Sequence, residues 1–325
     1  MPMSPQQQDR PNDAHGRGAE RPGDIPRPGW KDVLFRVKDD ISRNNISLLA
    51  AGEAFYAFLA IPSAITAVVS LYGLMSNPED VQRQVQVLQG VMPTEAINLI
   101  SGQLHKLVGH SNETLGLGFI ISILVALWSA QSGTSSMMKA LDIAYEEPEK
   151  RGLLRFYATA FALTVATVVF AVAALALIAV LPAALNLLPF GQFGKTFAAL
   201  VRWPVLLIMV MLVLAVIYRY APSRRQPRWR WVSWGAVAAA ILWIVGSVLF
   251  SIYVTHFAHY DRSYGSLGAV VVLLLWLYLS SYSVLLGAEL NAEIEHQTAR
   301  DSTIDGNKPM GQRGARMADT LGKEH

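Results

Sequence analysis

Charge is missing from this chain in long blocks, and that spacing constrains the fold more than any motif does. Between Arg43 and Glu79 the one formally charged side chain is Glu53, and between Glu113 and Lys139 there is none. The stretches from Arg155 to Lys195, Arg230 to Asp261 and Arg262 to Glu289 are also uncharged inside. Blocks of this kind hold the roughly 20 apolar residues that cross a ~30 Å hydrocarbon core. Only 16% of the 325 residues are charged, whereas a soluble domain carries about a quarter. The sequence therefore predicts an all-α, polytopic membrane protein and excludes a soluble enzyme built from the whole chain.

Six transmembrane helices are expected, at residues 47–74, 115–138, 154–181, 197–218, 231–255 and 267–288. Helices are chosen because an unpaired backbone is too costly in lipid, and barrel strands would alternate polar and apolar residues. The fourth span reaches full length if Arg202 snorkels to the interface. Orientation follows from the basic residues between spans. The N-terminal segment holds eight, the second-to-third connection four, the fourth-to-fifth five and the C-terminal segment five, so 22 of the 27 lie on one side. Both termini are predicted to be cytoplasmic.

Residues 1–29 and 298–325 are polar and Gly-containing and read as disordered tails around a 47–297 membrane domain. Within residues 30–46, Trp30, Val33, Leu34, Val37 and Ile41 recur at helical spacing, which predicts an amphipathic interfacial helix. The connection 76–114 is expected to form short external amphipathic helices, because Val81, Val85, Leu88, Ile97, Ile100, Leu104 and Leu107 also recur at helical spacing. The chain has no Cys, which removes disulfides and thiolate chemistry. No Ser-His-Asp, Gly-x-Ser-x-Gly or His-Glu-x-x-His pattern occurs, so no enzyme activity, cofactor or metal site is expected.

Several segments together resemble the YihY/BrkB family of bacterial inner-membrane proteins. They are Ala-Ala-Gly-Glu-Ala-Phe-Tyr-Ala-Phe-Leu-Ala-Ile-Pro at 50–62, Trp128-Ser-Ala, and Ala140-Leu-Asp-Ile-Ala-Tyr145. Tyr218-Arg-Tyr-Ala-Pro222, then Tyr264-Gly-Ser-Leu-Gly268 leading to Leu274-Leu-Trp-Leu-Tyr278, and Leu286-Gly-Ala-Glu-Leu-Asn-Ala-Glu293 complete the set. One departure is Asp142, where the family often carries Asn. The resemblance implies a six-helix, multi-pass protein of the bacterial inner membrane, whose members have been labelled virulence factors or ribonuclease BN. Metal-dependent RNA hydrolysis needs clustered ligands. The seven His are scattered, and the closest group, His256-Phe-Ala-His-Tyr-Asp261, falls on the external side, so nucleic acid is not an expected partner.

Glu53 is the sharpest polar signal, since an ionisable group inside a span faces an aqueous cavity or a partner. One reading makes it a proton or headgroup site with Tyr56; the other pairs it with a cation such as Lys139 or Arg219. Gln131, Ser132 and Lys139 close the second span, and Glu289 and Asn291 close the last. These residues are expected around one cytoplasm-facing cavity in a transporter or lipid exporter, against an alternative of interhelical hydrogen bonding. Pro62 removes a backbone donor and is a candidate hinge. Arg219, Arg224, Arg225, Arg228 and Arg230, interleaved with Trp229 and Trp231, are candidate anionic-lipid contacts. The partners expected are membrane lipids, an unidentified solute or lipid, and a second copy in a homo-oligomer. The competing class is a non-transporting envelope scaffold, assembly factor or lipid sensor.

Overall fold

The computed structural model describes residues 13–75, 112–175, 177, 192–256, 268–306 and 308–324. The elements are α1 (Arg27–Arg43), α2 (Ile46–Met75), α3 (Asn112–Ala144), α4 (Leu153–Leu175), α5 (Gln192–Tyr220), α6 (Trp229–His256) and α7 (Gly268–His296), with a single turn, α8 (Arg316–Asp319). Each expected span lies on one of the helices α2 to α7, which are 23 to 33 residues long. The end of the third span and the external connection 76–111 lie outside the described residues, as does the 257–267 connection with His259 and Asp261. Three helices, Leu153–Ala174, α6 and α7, are long and apolar enough to cross a bilayer, with mean hydropathies of 2.0, 2.3 and 2.2. The bent pair of α1 and the first part of α2 makes a fourth by length and composition. The chain is thus an all-helical membrane protein; among the described residues the strand-like pairing is one isolated bridge, Pro227 to Thr303.

The six long helices form a closed ring: each packs on the next in chain order, and α7 returns to α2. Small residues set the closest approach, between α6 and α7. A Cβ on Gly235 would collide with the Gly287 carbonyl, and one on Gly287 with the Gly235 carbonyl and the Tyr218 hydroxyl. Tyr218 donates to the Val284 carbonyl at 2.7 Å. Bare backbones meeting in this way are how apolar helices gain contact where lipid competes for their side chains. Outward, the long helices expose aliphatic side chains, among them Val168, Val169, Val245, Val248 and Leu249. That pattern is inverted for water and correct for lipid.

A 63° bend separates α1 from α2. Asn45 sits at the break with φ 51, the left-handed conformation that Asn tolerates better than most residues. α1 packs along the end of α7. There Arg36 pairs with Glu293 and donates to Gln297 Oε1 at 2.8 Å and the Lys323 carbonyl at 2.8 Å.

The tails depart from expectation. Residues 13–29 and 298–324 do not trail away: Ala19, Ile25, Ala315, Met317 and Ala318 are buried. Gln297 Nε2 donates to the His15 carbonyl at 2.7 Å, Thr298 Oγ1 to the Ala19 carbonyl at 2.6 Å, and the Gly322 amide to the His296 carbonyl at 2.9 Å. Composition predicted disorder because neither segment holds enough apolar surface of its own. What orders them is hydrogen bonding to each other and to α7, which local composition does not encode. Residues 1–12 lie outside the described residues.

Candidate functional site

Glu53 lies seven residues into α2, about 10 Å along the helix at 1.5 Å per residue. Ser136 lies eight residues before the end of α3, about 12 Å from it. The two helices pack side by side, which brings both residues to one depth. Ser136 donates its hydroxyl to the Glu53 carboxylate, and Glu53 is only 4% exposed. No ion pair reaches Glu53 among the described residues. Lys139 instead stands 5.9 Å from the Phe156 ring, and Arg219 donates to the Pro227 carbonyl at 2.6 Å and stacks 4.5 Å from the Trp229 ring. Neither cation expected as a partner meets the carboxylate.

On the far side of Ser136 a crevice of about 360 Å³ opens between α2, α3 and α4. Tyr56, Gln131, Ser132 and Lys139 line it together with Trp128, Ser135, Ser136 and Tyr157. Four of the expected cavity residues therefore do converge, with Glu53 buried behind them. Ser135 Oγ is buried without a hydrogen-bond partner. Trp128 is 70% exposed, so it forms a wall of the crevice instead of filling the helix interface. Tyr157 was not legible from sequence; it looks like an ordinary interfacial aromatic until α4 packs on α3.

Glu289 and Asn291 do not line this crevice. Glu289 accepts from Asn44 Nδ2 at 2.8 Å, at the α1–α2 corner. Asn291 accepts from the Gly235 amide at 2.7 Å and donates to the Val232 carbonyl at 3.2 Å, which clamps α6 to α7. Both face the ring's interior contacts because residues 287–295 are the most tightly packed part of α7. Pro62 falls inside α2, and its side-chain surroundings lie outside the described residues.

The arginines expected to meet lipid divide in the same way. Arg224 is a buried bidentate partner of Glu295, at 2.7 and 2.9 Å, and lies 4.1 Å over the Tyr145 ring. Burial pushes the Tyr145 hydroxyl well above its ordinary value of 10. Arg225 pairs with Asp305. Arg228 lies against Gly306 and binds the Ser302 carbonyl through its amide. Arg230 keeps a buried Nε without a partner. Asp142, the departure from the family pattern, accepts from the Ser223 amide at 2.6 Å and so fixes the α5–α6 connection to the end of α3.

A family model described as Virulence factor BrkB matches residues 37–311, which is most of the chain and takes in both the crevice and the arginine connection. The chain belongs to this family. Among its relatives is a protein named as ribonuclease-like, YfkH, of Bacillus subtilis (strain 168), 32% identical over 244 residues, covering 74% of this chain and 84% of the relative. A UPF0761 membrane protein of Idiomarina loihiensis is 30% identical over 185 residues, covering 56% of this chain and 61% of that one. Another from Pseudoalteromonas atlantica is 25% identical over 290 residues, covering 84% and 94%. No solved structure matches the chain.

Proposed function

We propose that this BrkB-family protein is a multi-pass transporter or exporter of the bacterial inner membrane, with all six long helices crossing and the basic end in the cytoplasm. The observation that supports it is the crevice itself: a polar, partly open space of about 360 Å³ set among apolar helices, with one buried carboxylate behind it. Groups of this kind inside a membrane mark solute or proton routes more often than they stabilise a fold. Tyr56, Trp128 and Tyr157 supply apolar walls, while Gln131, Ser132 and Lys139 supply donors. That combination suits an amphiphile or polar solute entering between α2 and α4, with Glu53 exchanging a proton through Ser136. The ribonuclease-like name belongs to the B. subtilis relative and is said of that protein alone.

The absence of Cys makes the test direct. Ser132→Cys should react with a membrane-impermeant maleimide in inside-out vesicles and not in intact cells. Val168→Cys, on the exposed apolar side of α4, should react in neither. If Ser132→Cys is unreactive from both sides, the crevice is sealed and the transport reading fails. Glu53→Gln should abolish the protein's contribution to envelope function while abundance and thermal midpoint stay near wild type. Loss of protein in step with loss of function would favour the scaffold reading, for which the clamps at Asn291 and Glu289 are the favouring observation.

A further inference from the structure

A second and larger cleft, about 660 Å³, lies at the basic end between the start of α4, the end of α5 and the C-terminal segment. Eight cations line it and no carboxylate does. Most of these cations are already engaged from behind. Lys150 holds Glu147 at 2.8 Å, Arg151 holds Glu149 at 2.7 Å and stands 3.7 Å from Asp142, and Arg224 holds Glu295. Arg225 and Lys308 share Asp305. Arg313 spends its guanidinium on the carbonyls of Ala299, Arg300, Lys308 and Ala318, with Asp301 as its electrostatic neighbour.

Two cations keep most of their donors, Arg219 giving one terminal nitrogen to the Pro227 carbonyl at 2.6 Å. Arg155 is exposed in the first turn of α4 and has no ion pair among the described residues. Arg219 is 9% exposed, is held between the Tyr220 and Trp229 rings, and keeps its Nε buried without a partner. A buried N–H donor left open on a cation, in a cleft without an acidic wall, is half of a hydrogen bond to an anion. The N-terminus of the 23-residue α4 opens on the same space, and its dipole favours the same sign of ligand.

The rim tells which kind of anion. Leu153 and Leu154, next to Arg155, are 78% and 87% exposed. From Leu154 an exposed apolar stripe climbs α4 through Phe161, Val165, Val168 and Val172. Tyr220 and Trp229 are exposed on the other flank. A free phosphate has no use for such walls, whereas an amphiphile fits its charged group into the cleft and its chains along the stripe.

We propose that this cleft binds the phosphate headgroup of an anionic phospholipid, with Arg155 and Arg219 as the two donors that meet the phosphate oxygens. The site shares no residue with the crevice beside Glu53 and stands whether or not that crevice transports a solute. Glu149, which occupies Arg151 through Nε at 2.9 Å and the terminal nitrogen at 2.7 Å, competes with the lipid for that guanidinium.

The test uses the full chain in nanodiscs of equimolar dioleoylphosphatidylglycerol and dioleoylphosphatidylcholine, extracted and read by native mass spectrometry. Wild type should retain phosphatidylglycerol in preference to phosphatidylcholine. Arg155→Gln, at an exposed position that leaves the fold intact, should lower retention about tenfold, the value of one charge-assisted hydrogen bond. Glu149→Gln should raise it by freeing Arg151, an effect that misfolding does not mimic. Lys38→Gln removes an exposed cation of α1 away from the cleft and should retain lipid as wild type does. Unchanged retention in Arg155→Gln overturns the proposal, and so does an equal loss in Lys38→Gln, which would reduce the effect to diffuse surface charge. Complete displacement by millimolar inorganic phosphate would also overturn it, since the cleft would then serve a soluble phosphate.

Discussion

Glu53 and Glu295 are both withdrawn from solvent, at 4% and 0% exposure, yet they live in opposite surroundings. Glu295 has two bonds from Arg224 and a third from the Ser302 hydroxyl at 3.0 Å, and Tyr145 covers the guanidinium. Glu53 has one serine and an open crevice beyond it. The first carboxylate is surrounded because it joins three segments distant in sequence, whereas the second, among the described residues, is held by a single hydroxyl. Burial alone therefore does not describe these two groups; the number of partners committed to each charge separates them.

The sharpest way to break that contrast is to remove one partner at each place. Arg224→Ala leaves Glu295 buried and unpaired and should cost about 3–5 kcal/mol, read as a large fall in thermal midpoint in detergent. Gly235→Ala strikes the same end through packing. Its methyl has no room against the Gly287 carbonyl, and about 1–3 kcal/mol should be lost. An intact midpoint in that variant would mean α6 and α7 separate more freely than their contacts show.

A titration sharpens the contrast at smaller scale. Burial, then the Glu293 carboxylate, push the Asp40 carboxyl up from its ordinary 3.8 to about 7, against the opposing pull of Arg43. With a raised folded-state value, the unfolded chain gives up its proton first, so Asp40's contribution is present below about pH 4 and is lost as pH rises toward 7. Asp40→Asn should match wild type at pH 4 and exceed it at pH 8, read as a higher thermal midpoint. A variant no better at pH 8 would show that the folded Asp40 carboxyl titrates near its ordinary value. Glu149 and Asp301 run the other way. Hydrogen bonds from Arg151 hold Glu149 down at about 2, and those from Lys308 and Thr303 lower Asp301, despite partial burial of each. What those two contribute is lost only as the solution becomes strongly acidic. Smallest of all, Arg43→Gln removes an exposed cation from Asp40 and Glu146 and should change stability by about 0–1 kcal/mol.

The helices were legible because lipid allows few alternatives: an uncharged block of the right length is a helix almost whatever its sequence. Glu53 was legible for the same reason, as the one charge inside a block. The partners of charges were not. Arg155 and Arg224 look alike in sequence, and only the fold leaves the first open and encloses the second. Glu289 and Asn291 read as further cavity residues, but Glu289 binds Asn44 at the α1–α2 corner, and Asn291 clamps α6 to α7 where Gly235 and Gly287 bring them together. The tails were misread because their stabilising contacts are long-range: the Lys323 carbonyl is held by Arg36, and local composition is blind to that and to the pairing of Arg36 with Glu293.

That last bond also sets a timetable. Arg36 and Glu293 are 257 residues apart, so at about 5–20 residues per second a ribosome adds the second roughly 10–50 s after the first. Until then α1 lacks this ion pair and the α7 end it packs on, and is held by its contacts with α2 and by Arg43 on Glu146. The end of α7 is therefore the event that completes the packing of the beginning of the chain.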